Sequence, residues 1–176
     1  LKTYNFNSLF IISVGNLSVG GTGKTPFVFL FSQILQNKNI EHAIVSRGYK
    51  RKLNDLVLVS NKNKILVDYN SSGDEPQMLA QMLPGVPVVV GNKRKAICEA
   101  EKNFSINSII IDDGFQTLNI KKNLDVVLID LSVSINDYVL MPVGKLRQKI
   151  EALNCADVVV FTKSSSFNKD ENKIRK

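Results

Sequence analysis

The sequence has little cysteine and no long apolar run, and each shortage excludes a class of protein. Cys98 and Cys155 are the only cysteines among the 176 residues, and their spacing fits neither a metal-binding pair nor a redox motif. We therefore expect two free, partly buried thiols and a protein suited to a reducing compartment. No stretch reaches the ~18 apolar residues that a membrane span requires, and no signal peptide is visible.

Internal repeats and low-complexity segments are also absent from the chain. Hydrophobic residues make up 44% and charged residues 22% of the sequence, which is typical of one globular domain. The polar residues 164–176 are typical of a linker, and we expect residues 1–163 to form the domain before it. The chain begins at Leu1 without a methionine, so we also expect it to be part of a longer protein.

The formal net charge is +7, and cations cluster at residues 50–52, 93–95 and 121–122. Such clusters can attract phosphates, nucleic acid or anionic lipid headgroups, and they can equally be a solvated, lysine-rich surface. Aromatic residues do not alternate with the cations in the way that base stacking requires. We therefore expect no nucleic-acid partner.

Apolar runs alternate with amphipathic segments along the chain. Several of the runs are continuous stretches of valine, isoleucine and leucine, as in strands that are covered on both faces. The pattern predicts an α/β fold, with a mostly parallel sheet, helices on both faces and ligands beyond the carboxyl ends of the strands. The predicted strands are residues 9–14, 42–46, 56–59, 86–90, 108–111, 125–129 and 158–162, and the predicted helices are 24–37, 74–83, 92–103 and 145–153.

A glycine-rich loop between the first predicted strand and the first predicted helix is the most informative motif. Its backbone N–H groups and the helix N-terminus after it would point at phosphate oxygens. Its lysine would reach the β- and γ-phosphates of a nucleotide, and its last threonine would ligate Mg²⁺. This context predicts a P-loop NTPase-like fold. The loop consists of Ser18, Val19, Gly20, Gly21, Thr22, Gly23, Lys24 and Thr25.

Three aspartates are candidates for chemistry. Asp112 and Asp113 end an apolar strand, which is the pattern of a Walker B segment that holds Mg²⁺ opposite Thr25. The alternative is an acidic pair that starts a turn at Gly114. Asp74 opens a predicted helix, where it either suits the helix dipole or accepts a proton from an attacking hydroxyl.

Arginine side chains offer candidate phosphate ligands. Arg47 and Arg94 each come shortly after a predicted strand, and Arg147 ends the segment 142–147, near the start of the predicted helix at 145–153. Arginine pairs bidentately with phosphate, although an exposed surface position is the alternative for each of them. His42, the only histidine, begins a strand beside no plausible partner, and we assign it no role.

Six segments of the chain match one family in sequence and in order: residues 13–26, 46–49, 73–76, 88–94, 112–116 and 140–147. Together they resemble the tetraacyldisaccharide 4′-kinase family, the lipid A 4′-kinases of Gram-negative bacteria. The resemblance extends from Ile11 to about Lys163. It also explains Ser18, because this family has serine or threonine where other phosphate loops have glycine.

The resemblance implies transfer of the γ-phosphate of ATP, with Mg²⁺, to the 4′-hydroxyl of a tetraacylated glucosamine disaccharide 1-phosphate in lipid A biosynthesis. It implies a peripheral or anchored enzyme at the cytoplasmic face of the bacterial inner membrane, and we expect a monomer. It also implies that the longer protein has an N-terminal apolar helix and a second domain. That domain would contribute a histidine partner to the catalytic aspartate.

Roles for individual side chains follow from the same resemblance. The residues implied in catalysis activate the sugar hydroxyl or stabilise the phosphoryl group, and others bind Mg²⁺ or the lipid substrate. The catalytic set is Asp74, Lys24 and Arg147, the metal ligands are Thr25, Asp112 and Asp113, and the substrate-binding set is Tyr49, Arg94 and Gln116.

Thr117 and Gln148 depart from the family pattern, which has histidine and glutamate at these places, so we expect altered or lost activity. Two alternatives stay open. A P-loop ATPase or GTPase of the partitioning or metal-insertion type has a loop like residues 19–25, but partitioning ATPases have a lysine where this chain has Val19. Residues 61–64 lack the aspartate of a guanine-binding motif. The second alternative is a nucleotide-binding fragment without transferase activity.

Overall fold

The computed structural model describes residues 3–48, 55–133 and 138–164. Its centre is a seven-stranded sheet in the order β3-β4-β2-β5-β1-β6-β7. Every neighbouring pair is parallel except β3 and β4. The strands are β1 Phe10–Asn16, β2 His42–Ser46, β3 Val57–Ser60, β4 Val88–Val90, β5 Ser108–Asp112, β6 Leu124–Asp130 and β7 Val158–Thr162.

The helices connect consecutive strands and cover both faces of the sheet. Val28 of α1 and Leu79 of α3 are buried against one face, and Ile97 of α4 is buried against the other. Helices on both faces explain why the central strands are apolar throughout. The helices are α1 Lys24–Asn37, α2 Tyr69–Ser72, α3 Asp74–Met82 and α4 Lys93–Asn103, and a 3₁₀ helix covers Ile150–Cys155.

β1 lies between β5 and β6 in the middle of the sheet. Val14 is paired with Asp112 on one side and with Val126 on the other. The predicted α/β fold, with a mostly parallel sheet and helices on both faces, is therefore confirmed. Because the strands are parallel, the carboxyl ends of β1, β2 and β5 meet at one edge of the sheet, which places Asn16, Ser46 and Asp112 together.

The predicted helix at residues 145–153 is wrong. Leu146 forms a β-bridge with Ser18 of the phosphate loop, its neighbours Lys145 and Arg147 are at bends, and helical structure begins only at Ile150, as a 3₁₀ helix. The backbone N–H of Val19 donates to the carbonyl of Lys145 at 2.8 Å, and that of Arg147 donates to the carbonyl of Leu17 at 2.7 Å. These tertiary bonds keep residues 145–147 out of a helix and outweigh the helix propensity of the segment.

Two smaller expectations are also wrong. Both thiols are exposed instead of partly buried. His42 is buried and has two partners: its Nε2 lies 2.6 Å from Ser32 Oγ, and its Nδ1 lies 2.9 Å from the carbonyl oxygen of Ile40. Burial lowers the pKa of His42, which keeps the ring neutral and tied into the core. Most of the expected linker at 164–176, from residue 165 onward, lies outside the described residues.

No helix in the described part of the chain has both the length and the apolar character that crossing a bilayer requires.

Candidate active site

The glycine-rich loop leads from β1 into α1 at the central edge of the sheet. Gly23 is the N-cap of α1 and has φ 86°, a left-handed conformation that glycine adopts without steric cost. No side chain caps this helix, so the first amide N–H groups keep the orientation that suits an anion. The loop geometry therefore fits a phosphate group at the start of α1.

Neighbouring segments brace the loop from two directions. Residues 145–147 form hydrogen bonds with the beginning of the loop, as described above. At its other end, the hydroxyl of Thr162 donates to the carbonyl of Thr22 at 2.9 Å. The Thr162 bond links the loop to β7, and the bracing preorganises its backbone for a ligand.

Lys24 projects from the first turn of α1 toward two acceptors. Its ammonium donates to Asn16 Oδ1 at 3.1 Å and lies 3.6 Å from Asp113 Oδ1. Asn16 is itself fixed by two hydrogen bonds. Its side-chain Nδ2 donates to the backbone carbonyl of Ser18 at 2.7 Å, and its backbone carbonyl accepts from Gln116 Nε2 at 2.8 Å. The lysine charge is thus held beside the phosphate loop by a buried, fully engaged asparagine.

Asp112 at the end of β5 is buried and only half satisfied. Its Oδ2 accepts a hydrogen bond from Ser46 Oγ at 3.1 Å, while its Oδ1 has no hydrogen-bond partner. Burial raises the pKa of Asp112 to about 6, and the nearby Glu75 carboxylate adds to the rise. A buried carboxylate oxygen without a partner fits a ligand that a divalent cation would bind.

Asp113 has the left-handed φ of 51°, which is unusual for a residue other than glycine. Its carboxylate accepts two hydrogen bonds from Arg147 Nη1, at 3.1 and 3.3 Å, in addition to its contact with Lys24. Burial alone would raise the pKa of Asp113, but the charges of Lys24, Arg147 and Lys93 outweigh burial and lower it. Asp113 is therefore ionised and organises two of the cations of the site.

Lys93, the first residue of α4, contacts the residues that follow β5. Its ammonium donates to the backbone carbonyl of Asp113 and, at 3.0 Å, to Thr117 Oγ1. Burial lowers the pKa of Lys93 to about 8, against the attraction of both aspartates. The hydroxyl of Thr117 can accept this bond, whereas a protonated histidine at that place could not.

Asp74 is the first residue of α3, and the N-cap itself is Gly73. Its side chain is exposed, as expected for a group that meets a substrate from solvent. The adjacent Glu75 is close enough to Asp112 to affect its titration. The start of α3 therefore lies near Asp112 at the end of β5, with Asp74 exposed to solvent.

The structure brings together most of the side chains that the sequence singled out. Lys24, Asp113 and Arg147 form one charged cluster, and Gln116 bonds to the strand end that holds Lys24. Arg94 is exposed, with its guanidinium 3.9 Å from the centre of the Tyr4 ring, so its role in substrate binding stays a prediction. Tyr49 lies outside the described residues.

Sequence reasoning assigned no role to Asn16, Ser46 or Lys93. Asn16 and Ser46 are the last residues of β1 and β2, and Lys93 is the third residue after the end of β4. Their positions after strands were a usable signal, because polar residues at the carboxyl ends of parallel strands face the ligand crevice. Their individual partners depend on the strand order, which the sequence did not reveal.

Comparisons with known proteins agree on one family. The family model described as "Tetraacyldisaccharide-1-P 4'-kinase" matches residues 1–176. The tetraacyldisaccharide 4'-kinase of Desulfotalea psychrophila is 43% identical, over 86% of this chain and 44% of the relative. That of Geobacter metallireducens is 39% identical, over 87% of this chain and 46% of the relative. The chain thus spans about half the length of the curated relatives it matches.

A solved structure is also similar. It is the "apo" form of LpxK from Aquifex aeolicus in complex with ATP, which superposes with a TM-score of 0.87 and is 36% identical in sequence. The match covers 96% of this chain and 53% of that one.

Proposed function

This chain belongs to the tetraacyldisaccharide-1-P 4'-kinase family, and from that premise we propose that its protein is an ATP-dependent lipid kinase. It would transfer the γ-phosphate of ATP to the 4′-hydroxyl of a tetraacylated glucosamine disaccharide 1-phosphate in lipid A biosynthesis. The observation that carries the proposal is the Lys24 ammonium, held between Asn16 and Asp113 at the phosphate loop and beside the half-satisfied Asp112.

ATP is the proposed phosphoryl donor. The loop at residues 18–25 would receive the phosphates through its backbone N–H groups, with Lys24 at the β- and γ-phosphates. On binding, a phosphate oxygen would replace Asn16 and Asp113 as the partner of the lysine. The similar Aquifex protein was solved in complex with ATP, which supports the same donor here.

Mg²⁺ is the proposed metal, and the donor set fits it. Asp112 offers a buried carboxylate oxygen without a partner, and Thr25 offers a buried hydroxyl at the start of α1. Mg²⁺ in such enzymes uses one or two carboxylates and completes its coordination with waters and nucleotide phosphates. When bound, it would neutralise charge on the phosphates. Asp113 would serve as the second acid of the pair.

Asp74 is the proposed general base. Its carboxylate would accept the proton of the 4′-hydroxyl while the sugar oxygen forms a bond to the γ-phosphorus and the bond to the β-phosphate oxygen breaks. ADP would leave with that oxygen. Lys24 and Arg147 would stabilise the charge on the transferring group, and proximity of the two substrates would supply much of the rate.

The acceptor is a lipid, so we propose that the protein works at the cytoplasmic face of the inner membrane, as a monomer. Tyr49, Arg94 and Gln116 are the proposed contacts to its sugar and phosphate groups. The exposed guanidinium of Arg94 is suited to a 1-phosphate, since arginine binds phosphate bidentately.

The test is transfer by the full-length protein from labelled ATP to the purified disaccharide in mixed micelles. We expect label in the lipid and none in a matched acceptor that lacks the 4′-hydroxyl. Nucleotide hydrolysis without labelled lipid would instead favour a P-loop ATPase or GTPase, and nucleotide binding without either would favour a binding module.

A further inference from the structure

We propose that Lys93 is a positioning residue, whose buried ammonium holds the turn after β5 in the left-handed conformation that aims the carboxylate of Asp113 at Lys24 and Arg147. The inference rests on the proposed function, because it assigns Lys93 to the alignment of the metal and nucleotide site. The role differs from those of the residues that would touch ATP, Mg²⁺ or the lipid.

The turn needs such a support because its geometry is unfavourable by itself. Asp113 has a φ of 51°, a region in which a side chain with a Cβ atom is strained. The next residue cannot relieve the strain by moving inward, since Gly114 packs so closely that a Cβ there would lie 2.4 Å from Ser13 Oγ. Aspartate adopts this region more readily than most residues, and contacts from outside the turn can hold it there. One such contact is the bond from the N–H of Gly114 to the carbonyl oxygen of Val14 in β1, at 3.0 Å.

Lys93 contacts both ends of the turn, which runs from Asp113 to Thr117. Its ammonium donates to the carbonyl oxygen of Asp113 and to the hydroxyl of Thr117, while the N–H of Thr117 closes on the carbonyl of Gly114 at 2.8 Å. One cation thus joins the first and last residues of the turn. Without Lys93, the Asp113–Gly114 peptide would lose the bond on its carbonyl side and keep only the bond from the N–H of Gly114 to the carbonyl of Val14, so the Asp113 carboxylate would be aimed less precisely.

The position of Lys93 is itself fixed by the start of α4. The side chain of the N-cap Asn92 accepts a hydrogen bond from the N–H of Lys95 at 3.3 Å. Ala96 and Ile97, in the same first turns, are fully buried against the sheet. The ammonium is therefore presented from a rigid element, as a group that orients another must be.

A purely electrostatic role for Lys93 predicts the opposite effect on metal binding. Removing a buried positive charge near Asp112 and Asp113 would strengthen their attraction for a divalent cation. Loss of positioning would weaken that attraction, because the two acids would no longer be held in register with the phosphate loop. The sign of the change therefore separates the two roles.

The experiment measures Mn²⁺ binding to the full-length protein by electron paramagnetic resonance, in the presence of a non-hydrolysable ATP analogue. Nucleotide affinity without metal is measured in parallel by calorimetry. We expect Lys93→Met to weaken Mn²⁺ binding about tenfold, the lower end of typical effects for groups that orient metal ligands. Metal-free nucleotide affinity should change less than about twofold. Lys93→Arg should restore part of the loss, because it can still donate to both acceptors.

Lys95→Met is the matched control, since Lys95 lies two residues further along the same helix with an exposed side chain. Its Mn²⁺ affinity should equal that of the unmodified protein. Unchanged or tighter Mn²⁺ binding in Lys93→Met would overturn the positioning role while leaving the proposed function intact. An unmodified protein without metal-dependent nucleotide binding would overturn both. If Lys93→Met does not fold, Thr117→Val decides: it removes one acceptor and should give a smaller loss in the same direction, and no loss would overturn the proposal.

Discussion

Asp112 is a carboxyl group whose surroundings oppose its ionisation. Burial and the Glu75 carboxylate raise its pKa from 3.8 to about 6, and one of its oxygens has no partner. Groups kept at a cost to stability are typical of functional sites. The cost is explained if a bound cation satisfies the carboxylate, as we propose.

Asp112→Asn should therefore stabilise the metal-free protein at neutral pH. The native pKa lies above the unfolded one, so the native state holds the proton more tightly and stability falls as pH rises between about 4 and 6. The amide cannot ionise, so the variant should gain about 1–3 kcal/mol above pH 6 and lose this advantage below pH 4. Thermal unfolding in chelator at pH 7.5 and pH 4 measures both values, and a variant less stable at pH 7.5 would contradict the assignment.

Asp74 offers a test of the proposed base. Asp74→Asn in the full-length protein should lower kcat about 10²- to 10⁴-fold with little change in ATP affinity. Lys24→Ala should by contrast lower both kcat and ATP affinity, since it removes a positive charge that contacts the phosphates in the ground state and in the transition state. Turnover is measured with the labelled lipid assay, and ATP affinity by calorimetry.

Asp68→Asn is the matched control for Asp74→Asn. Asp68 is the N-cap of α2, where its side chain accepts the N–H of Ser71 at 3.1 Å. Asparagine caps helices about as well as aspartate, so this variant should keep normal turnover. Near-normal turnover in Asp74→Asn as well would leave Asp74 as a residue that only suits the helix dipole.

Single residues also show where sequence reasoning stops. Roles for Lys24 and Thr25 could be predicted from sequence because a phosphate loop is local: its proposed ligands are neighbours along the chain. Lys93 appeared in the sequence only within the segment 88–94 and a basic cluster at 93–95, and neither gave it a role; Arg94 and Lys95 of that cluster are exposed. Lys93 differs from Arg94 and Lys95 because its side chain lies on the face of α4 that meets the turn after β5. Which face that is depends on tertiary packing.

At the scale of elements, close packing between β1 and the turn after β5 fixes the site. Gly114 passes so near to β1 that a Cβ atom would lie 2.4 Å from Ser13 Oγ and 3.0 Å from the carbonyl oxygen of Ile111. Gly15 makes a similar approach, since its Cβ would lie 2.5 Å from that of Phe115. Gly15 and Gly114 therefore allow β1, which leads into the phosphate loop, to pack directly against the turn after β5.

Gly114→Ala should lower the free energy of unfolding by about 1–3 kcal/mol, the usual cost of overpacking, and should weaken metal binding because the turn must shift. Gly21→Ala is the control, as nothing lies within 4 Å of a Cβ there. Ser13→Ala in the Gly114→Ala background should recover part of the stability, because it removes the nearest atom. Urea unfolding measures all three, and equal stability of the two glycine variants would contradict the packing argument.

The boundaries of α1, β2 and β7 were predicted residue for residue, since apolar pattern and turn chemistry agree there. The segment at 145–153 was predicted as a helix because its apolar and charged residues alternate with a helical spacing. Hydrogen bonds to Leu17 and Val19 keep its first part non-helical instead. Local pattern fails at this segment because it braces a loop more than a hundred residues away in the chain.

For the whole molecule, the parallel sheet explains how residues from distant segments form one site. β1, β2 and β5 are adjacent in the sheet although other elements separate them in sequence. Their carboxyl ends bring Asn16, Ser46 and Asp112 to one edge, where α1 and α3 also begin. A ligand at this edge contacts several elements at once, so its binding should be felt by the entire domain.

Nucleotide binding should therefore raise the thermal stability of the whole molecule, and the choice of base should identify the class of enzyme. MgATP at one hundred times its dissociation constant stabilises the native state by about 2.7 kcal/mol. For a domain of this size that corresponds to about 5–11 °C in Tm. We expect this shift with MgATP and a clearly smaller one with MgGTP at the same concentration, measured by scanning fluorimetry over a range of concentrations.

Lys24→Ala should abolish the difference in Tm between protein with nucleotide and protein in buffer, whereas Lys62→Ala, at an exposed pair with Glu41, should keep it. A larger shift with MgGTP would indicate a GTPase of the metal-insertion type and contradict the kinase proposal.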